Sequence, residues 1–493
     1  MTTLVSIDAL ALGPVLAPAL GAVLVLLVDV VAPRLRGAHA AVGAAALVVG
    51  LASGVPGALG TEGDPVRTLC LPAPAGACFY EAGTLASALQ LGALASALVV
   101  LLLVWPSPMP EGDELRGGPA VLVALVLSAT AGATAVAAAH DLGSWLVALE
   151  LATLPAIALV ALRGTRRAGA GALSLLTTSL VSFAMVVLGA ALWLVGTGEA
   201  VFSSGAVQRA LETPEARAVL LLGVLLLVGG LGFKLSLVPF HAWTPQTYAG
   251  ASEPVAAFLA ATSKIAALAA LVVVLRPLAD ASGPVLVAVG VLAAVSMTVG
   301  NVLALVQDDP VRLLAWSTVA QAGWVVLPLA TLVPDGLAAS GGYVLAYAIA
   351  TLVAFTAVTV VGQAAAGAAP AGRSLAAYRG LMRRNPVVAG LLGLALVSLA
   401  GLPPGVIGLV AKVLALRPVV SEGLWALALV AVANAVIGVA VYLRWFAVLL
   451  QEPGADSATL RRPAAGPAAA LALTGTALVL TSLAPQLLLG LVD

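Results

Sequence analysis

Residues 217–239 read RAVLLLGVLLLVGGLGFKLSLVP. No charged residue lies between Arg217 and Lys234 in this stretch. A helix that crosses the hydrocarbon core of a membrane needs about 20 apolar residues, and this stretch is of that length. Comparable runs recur along the whole chain of 493 residues. The sequence therefore predicts an all-α polytopic membrane protein.

The composition supports the same fold class. Hydrophobic residues make up 62% of the chain and charged residues 9%, and the mean hydropathy is +1.13. A soluble domain is about half apolar and about a quarter charged. These values exclude a soluble enzyme and a disordered chain, and the zero net charge gives no basic face for nucleic acid. The apolar runs are continuous and do not alternate, which excludes a membrane barrel.

The apolar runs predict about 14 transmembrane spans with short loops. Four segments follow from their grouping: an N-terminal three-helix segment at 1–115 with a polar loop at 60–83, two repeats at 116–275 and 276–450, and a C-terminal helix at 451–493. The predicted spans are 11–33, 38–58, 84–106, 117–138, 142–162, 169–196, 217–239, 254–275, 283–306, 311–332, 338–363, 386–416, 422–450 and 465–490.

Two of these spans carry residues that interrupt helices. Gly230, Gly232 and Pro239 surround one interruption, and Pro403 and Pro404 form the other. Irregular backbone at membrane depth is tolerated where protein or cavity water satisfies it. One broken helix in each half is typical of transporters built from inverted repeats. We therefore predict two inverted five-helix repeats, spans 4–8 and spans 9–13.

Four ionisable residues lie within or at the edge of apolar runs. The only lysines of the chain are Lys234, Lys264 and Lys412, and Glu150 is the one acid well inside a predicted span. Charges at this depth are costly and often mark ion pathways. Lysine, unlike arginine, can lose its proton when it is buried. We expect these four residues to transfer protons, although a structural ion pair for Glu150, snorkelling for Lys234 and a structural role for Lys412 are alternatives.

Histidine and tryptophan residues give weaker signals. His241 follows Pro239 and precedes Trp243, and it titrates near neutral pH, so it is a candidate proton relay. A structural hydrogen-bonding role is the alternative for His241. The eight tryptophans lie partly near span ends, as interface belts do, and we assign them no chemistry. The chain offers no metal site and no phosphate-binding or nucleophile motif.

The arginines predict an orientation. With alternating loops and the N-terminus outside, the inner loops hold 14 arginines and the outer loops five. Both termini and the polar loop at 60–83 are then outside, where Cys70 and Cys78 can form a disulfide; two free thiols are the alternative. The inner arginines are Arg34, Arg36, Arg116, Arg163, Arg166, Arg167, Arg312, Arg373, Arg379, Arg383, Arg384, Arg444, Arg461 and Arg462, and the outer ones are Arg67, Arg209, Arg217, Arg276 and Arg417.

Several blocks in the chain resemble a known family. Residues 232–248 read GFKLSLVPFHAWTPQTY, residues 249–259 read AGASEPVAAFL, and Ser263-Lys264 follows. Further blocks are NVLALVQ at 301–307, RLLAWST at 312–318 and SLAGLPP at 398–404. In this order they resemble the antiporter-like subunits of respiratory complex I. By its length and span number the chain is most similar to subunit N of the bacterial NADH–quinone oxidoreductase.

The resemblance implies a function. It implies a proton-translocating membrane-arm subunit without a redox centre, in which Glu150 and Lys234 interact, Lys264 is the central relay and Lys412 lies nearest the outer exit. NADH, FMN, iron–sulfur clusters and quinone would be held by partner subunits, and this chain would have no cofactor of its own. Expected partners are sister antiporter-like and small membrane subunits, membrane lipid and protons, with no nucleic acid, in a bacterial inner membrane. A subunit of an Mrp-type multisubunit cation/proton antiporter is the alternative, and an inactive scaffold is a third.

Overall fold

A computed structural model describes residues 5–33, 36–61, 63–72, 76–105, 118–278, 284–364, 373–454 and 463–492. The predicted span ends at 106, 117 and 283 lie outside these residues, as do the segment limits at 115 and 116 and Arg34, Arg116, Arg461 and Arg462 of the charge count. The N-terminal segment contains α1 (Gly13–Val31), α2 (Arg36–Ala58), β1 (Val66–Cys70), β2 (Cys78–Ala82) and α3 (Thr84–Leu103).

The remaining elements are helices. The predicted first repeat contains α4 (Gly118–Ala138), α5 (Leu142–Leu151), α6 (Leu154–Ala161), α7 (Arg166–Thr197), α8 (Ser204–Glu212), α9 (Pro214–Leu235), α10 (Trp243–Gly250), α11 (Glu253–Ala260) and α12 (Thr262–Leu275). The rest of the chain contains α13 (Pro284–Leu305), α14 (Pro310–Val326), α15 (Pro334–Ala364), α16 (Leu381–Arg384), α17 (Pro386–Ala400), α18 (Val406–Ser421), α19 (Trp425–Leu450), α20 (Ala465–Leu483) and α21 (Gln486–Leu489).

The membrane fold predicted from the sequence is confirmed. Thirteen helical stretches among the described residues are long and apolar enough to cross a membrane. The remaining predicted span, 386–416, is present as α17 and α18 in series. Helices satisfy every backbone group within one segment, which the hydrocarbon core requires. The spans that contain α11 with α12, α14 and α15 form the centre, since 94% of an 18-residue apolar window in each is buried, whereas the value for α1 is 28%.

A short hairpin interrupts the helical fold within the predicted polar loop. Strands β1 and β2 are antiparallel, and Cys70 lies opposite Cys78. A disulfide joins these two residues. Isolated bridges connect the hairpin to Ser6 and Ala139. The hairpin therefore ties the beginning of the chain to the end of α4, and we call this end of the helices the hairpin face.

The glycines before Lys234 have another role than the one predicted. Helix α9 continues through Gly230 and Gly232 and ends at Leu235, so the expectation that these glycines interrupt it is wrong. A Cβ atom at Gly230 would lie 2.5 Å from Val186 Cγ2 and 2.9 Å from Ser182 O of α7. Gly230 thus allows α7 and α9 to approach closely. The interruption lies between Leu235 and Trp243 and includes Pro239.

The second predicted interruption lies where the prolines are. Helix α17 ends at Ala400 and α18 begins at Val406, so Pro403 and Pro404 occupy the gap. Gly401 ends α17 with φ 80°, a left-handed conformation that favours glycine. Gly408 of α18 approaches the backbone of α17 so closely that a Cβ atom there would overlap Ser398. The two half-helices therefore pack against each other directly after the gap.

Candidate functional site

Each of the four predicted ionisable residues lies near a helix end inside the membrane fold. Glu150 is the last residue but one of α5, and Lys234 is the last but one of α9. Lys264 lies in the first turn of α12, and Lys412 lies in the second turn of α18. The ends of α5 and α11 are interruptions that the sequence did not predict as such. Helix ends leave backbone groups unpaired, so they provide polar partners where an unbroken helix has none.

Glu150 and Lys234 line the same small cavity between α5, α7 and α9. The space in it that admits water is about 10 Å³, roughly the room that one water molecule needs. Lys234 Nζ donates to Thr153 Oγ1 in the interruption after α5 and lies 3.5 Å from Leu149 O. Among the described residues Lys234 and Glu150 form no direct ion pair. The structure therefore brings the predicted pair together around one cavity, with Thr153 as the direct partner of the amine.

Lys264 binds the end of the helix that carries Lys234. Its Nζ donates to Lys234 O at 2.8 Å and to Ser236 Oγ at 2.5 Å. Ser236 Oγ is also 2.6 Å from Thr244 Oγ1. The Lys264 Nζ atom lies 4.8 Å from the centre of the Trp243 ring. A carbonyl at a helix C-terminus and the face of an indole both attract a cation, so the site is built for an ammonium group.

Lys412 is held in the same way in the second half of the chain. Its Nζ donates to Leu399 O at 3.0 Å and to Ala400 O at 2.7 Å, the last carbonyls of α17. The Trp324 ring centre lies 5.3 Å from the same Nζ. Two half-helix ends, one in each repeat, thus bind one lysine each beside a tryptophan. This arrangement corresponds to the use of broken helices as ion sites.

A buried polar network extends from Lys412 that the sequence analysis did not identify. Gln321 Nε2 donates to Leu399 O at 3.2 Å, the carbonyl that also accepts from Lys412, and to Tyr442 OH at 2.9 Å. Tyr343 OH donates to Gln321 Oε1 at 2.5 Å. These side chains come from α14, α15 and α19, and each is isolated among apolar neighbours in the sequence. A polar residue in the middle of an apolar span was the only signal available.

His241 is not bonded to the lysines. It lies in the turn between α9 and α10, and its ring centre is 5.5 Å from that of Trp316. Within the described part of the chain its Nδ1 atom is buried without a hydrogen-bond partner. The predicted relay role of His241 stays a prediction.

The tryptophans are less peripheral than the sequence suggested. Five of the eight have fully buried side chains, and two of those five, Trp243 and Trp324, contact the lysine sites. The interpretation as an interface belt is therefore wrong for these five fully buried tryptophans. The remaining fully buried ones are Trp145, Trp193 and Trp445.

Potential metal ligands are sparse in the described ranges. There, His, Cys, Asp and Glu side chains do not form a group of three that could hold a metal ion. Both cysteines are joined in the disulfide.

Comparisons with known proteins agree with this geometry. Residues 139–438 match the family described as "NADH:quinone oxidoreductase/Mrp antiporter, TM". The chain is 37% identical to NADH-quinone oxidoreductase subunit N 2 of Streptomyces griseus subsp. griseus, over 98% of this chain and 93% of that one. It is 41% identical to NADH-quinone oxidoreductase subunit N of Salinispora tropica, over 91% and 86%.

Solved structures show the same fold. A chain of respiratory complex I from Thermus thermophilus with bound aureothin has a TM-score of 0.78 and 30% identity, covering 97% of this chain and 98% of that one. A chain of the Mrp complex from Dietzia sp. has a TM-score of 0.84 at 22% identity, covering 98% and 96%, which shows likeness of fold alone. The chain belongs to the NADH:quinone oxidoreductase/Mrp antiporter transmembrane family, and within it to the NADH-quinone oxidoreductase subunit N proteins.

Proposed function

We propose that this chain is the proton-translocating membrane-arm subunit N of an NADH:quinone oxidoreductase and that protons move through Glu150, Lys234, Lys264 and Lys412. The observation that carries the proposal is the placement of Lys264 and Lys412 on the carbonyl ends of interrupted helices, beside tryptophan rings. These partners are neutral oxygens and rings, and among the described residues no carboxylate fixes the charge of either amine as it would in an ion pair, so each amine can exchange a proton.

The first part of the route is built by α5, α9 and α12. Lys234 bonds to Thr153 beside Glu150 through its side chain, and it bonds to Lys264 through its main-chain oxygen. A change in the position of the Lys234 ammonium therefore acts on both neighbours. From Lys264 the route continues towards the Gln321 network and Lys412, with water or His241 completing it. Redox chemistry in other subunits supplies the energy.

Partners and orientation follow from the family. We infer sister antiporter-like and small membrane subunits as partners, and NADH, FMN, iron–sulfur clusters and quinone bound by other subunits and none by this chain. The hairpin face is assigned to the outside of a bacterial inner membrane, with both termini there. Support comes from the arginines at the opposite ends of the helices, such as Arg163 and Arg373, which outnumber those at the hairpin face. An Mrp-type antiporter subunit has only a likeness of fold in its favour.

Replacement of Lys264 tests the proposal. Lys264→Ala removes the amine, and Lys264→Arg keeps a charge that does not release its proton. In inverted vesicles that contain the assembled complex, we expect both variants to lower the number of protons pumped per NADH oxidised. Ser263→Ala, one residue away, is the matched control and should pump normally. Unchanged pumping by an assembled Lys264→Arg complex would refute the route and favour the scaffold.

A further inference from the structure

A large cavity opens at the hairpin face of the first repeat. Its volume is about 700 Å³, and its walls come from the hairpin, α3, the end of α4, the segment between α7 and α8, and α12. We call this cavity the vestibule. One water molecule takes about 30 Å³ of liquid, so the vestibule holds many of them. The cavity between Glu150 and Lys234 is far smaller, at about 10 Å³. The first repeat is therefore much more open at the hairpin face than at the Glu150–Lys234 pair.

The vestibule descends along the helix that carries Lys264. Its lining on α12 consists of Val273, Val272 and Ala269, which recur at helical spacing on one face, and Arg276 follows directly after the helix ends. Ala269 is six residues below the end of α12, a depth of about 9 Å at 1.5 Å per residue. Lys264 is five residues further, about 7.5 Å along the same axis. The floor of the vestibule thus lies within about a turn and a half of the central lysine.

The apolar side chain of Ile265 lies below the floor. Ile265 continues the lining face of α12 below Ala269 and is next to Lys264 in the chain. It packs against Gly92 of α3, where an added Cβ atom would lie 3.3 Å from Ile265 Cδ1 and 2.3 Å from Leu345 Cδ2. Thin apolar constrictions of this kind can open and close to water by wetting and drying.

The rim of the vestibule is charged with both signs. Arg67 of β1 and Glu81 of β2 form an ion pair at 3.1 Å, and Arg276 follows the end of α12. Glu199, before α8, lines the same rim. Mixed charges retain water without favouring an anion or a cation.

His140 stands in the wall of the vestibule, after the end of α4. Hydrogen bonds of its main chain to Phe79 and Phe202 fix it between the hairpin and the segment before α8. Burial lowers the pKa of His140, Glu81 and Asp141 oppose this shift, and Arg276 and Arg67 add to it. The lowered pKa disfavours the imidazolium form, so His140 adds a polar group to the wall rather than a fixed positive charge.

We propose that the vestibule is a water-filled opening through which Lys264 exchanges protons with the outside, past the apolar side chain of Ile265. The proposal rests on the proton-transfer role of Lys264 given above. It gives the first repeat its own outward opening, separate from Lys412. The proton crosses the vestibule as hydronium or along a chain of water molecules. Its passage depends on how deeply water enters the vestibule and on whether the apolar floor is wetted.

Cysteine labelling in the assembled complex tests the opening. The chain has two cysteines, and both are in the disulfide, so an introduced cysteine is the only free thiol of this chain. We choose Ala269→Cys at the floor, Val273→Cys nearer the rim and, as the control, Leu268→Cys, which is one residue from Ala269 but does not line the vestibule. A membrane-impermeant cationic methanethiosulfonate is applied to the outer face, and modification of this chain is read by mass spectrometry.

We expect Val273→Cys and Ala269→Cys to react, and Leu268→Cys to react at least tenfold more slowly. Pumping per NADH oxidised should fall at least twofold once Ala269→Cys is modified. It is measured in vesicles made from the same preparation before and after labelling. If Ala269→Cys does not assemble, Val272→Cys takes its place at the next position of the lining.

Three results would overturn the proposal. Reaction at Val273→Cys without reaction at Ala269→Cys means that water does not reach the floor of the vestibule. Reaction at neither site means that another subunit fills the vestibule. Labelling of Ala269→Cys with unchanged pumping means that the vestibule is open to water but carries no protons. Each result leaves the role of Lys264 to be decided by the Lys264→Arg experiment, so the two proposals fail separately.

Discussion

Gly230→Ala should weaken the contact between α7 and α9, and Gly232→Ala should not. The new Cβ atom at Gly230 would lie 2.9 Å from Ser182 O, whereas ordinary contact begins at 3.4 Å, so the helices must separate by about 0.5 Å. Because the obstacle is backbone, a side-chain rotation does not relieve it. At Gly232 the nearest atoms are Leu237 Cβ and Cδ1 at 3.7 Å, which leaves room for a methyl group.

The magnitude follows from three effects. Overpacking costs about 1–3 kcal/mol. Weakening the hydrogen bond from Ser182 Oγ to Gly230 O, which is 2.6 Å long, costs about 1 kcal/mol. Alanine favours a helix over glycine by about 1 kcal/mol, which opposes the other two effects. The net loss at Gly230 is about 1–3 kcal/mol, and Gly232→Ala should be neutral or stabilise the chain by about 1 kcal/mol.

The assay is heat treatment of the solubilised complex, with retention of this chain followed on native gels and pumping measured in vesicles. We expect the release temperature to fall by a few degrees for Gly230→Ala and to stay level or rise for Gly232→Ala. Equal losses at both positions would refute the packing argument. They would show instead that α9 needs glycine for backbone freedom, as an interrupted helix does.

Three further predictions concern other parts of the fold. Glu150→Gln keeps the shape of a half-buried side chain but removes the charge opposite Lys234. Pumping in vesicles should therefore fall while native gels show normal assembly. Lost assembly would indicate a structural role for Glu150. Gln321→Leu leaves Tyr343 OH without its acceptor at a cost of about 1–3 kcal/mol, so pumping and thermal stability should both fall, and no change in either would contradict the network. Burial raises the pKa of Tyr80 to about 12. The contribution of Tyr80 to the free energy of unfolding is therefore complete below about pH 10 and declines as the pH rises to 12. Ultraviolet titration of wild type against Tyr80→Phe should show this late ionisation, and ionisation near 10 would contradict it.

The sequence predicted the charged centre better than its surroundings. Lys264 and Glu150 stood out because an ionisable side chain in an apolar run is costly, whatever the tertiary structure. The partners of the lysines are main-chain oxygens and hydroxyls, such as Lys234 O for Lys264 and Thr153 Oγ1 for Lys234, and groups of these kinds are common in membrane helices. Nothing in the order of residues shows which of these groups faces an amine.

Glycine was the least predictable residue type. Proline lacks a donor wherever it stands, which favours helix gaps, and Pro239 and Pro403 lie in such gaps. Other prolines nevertheless lie inside helices, namely Pro18, Pro56 and Pro418. Glycine either loosens a helix or lets another helix come close, and the sequence alone does not distinguish the two. At Gly230 the second effect prevails, because the neighbouring helix α7 supplies contacts that outweigh the helix propensity.

One residue, Lys234, links two amines in this molecule. The residue that carries the Lys234 ammonium also offers its own carbonyl oxygen to Lys264, at 2.8 Å. Main-chain motion at residue 234 therefore alters the hydrogen bond to the second amine and displaces the first amine with it. Coupling of this kind between the two charge carriers is local, because both groups belong to one residue.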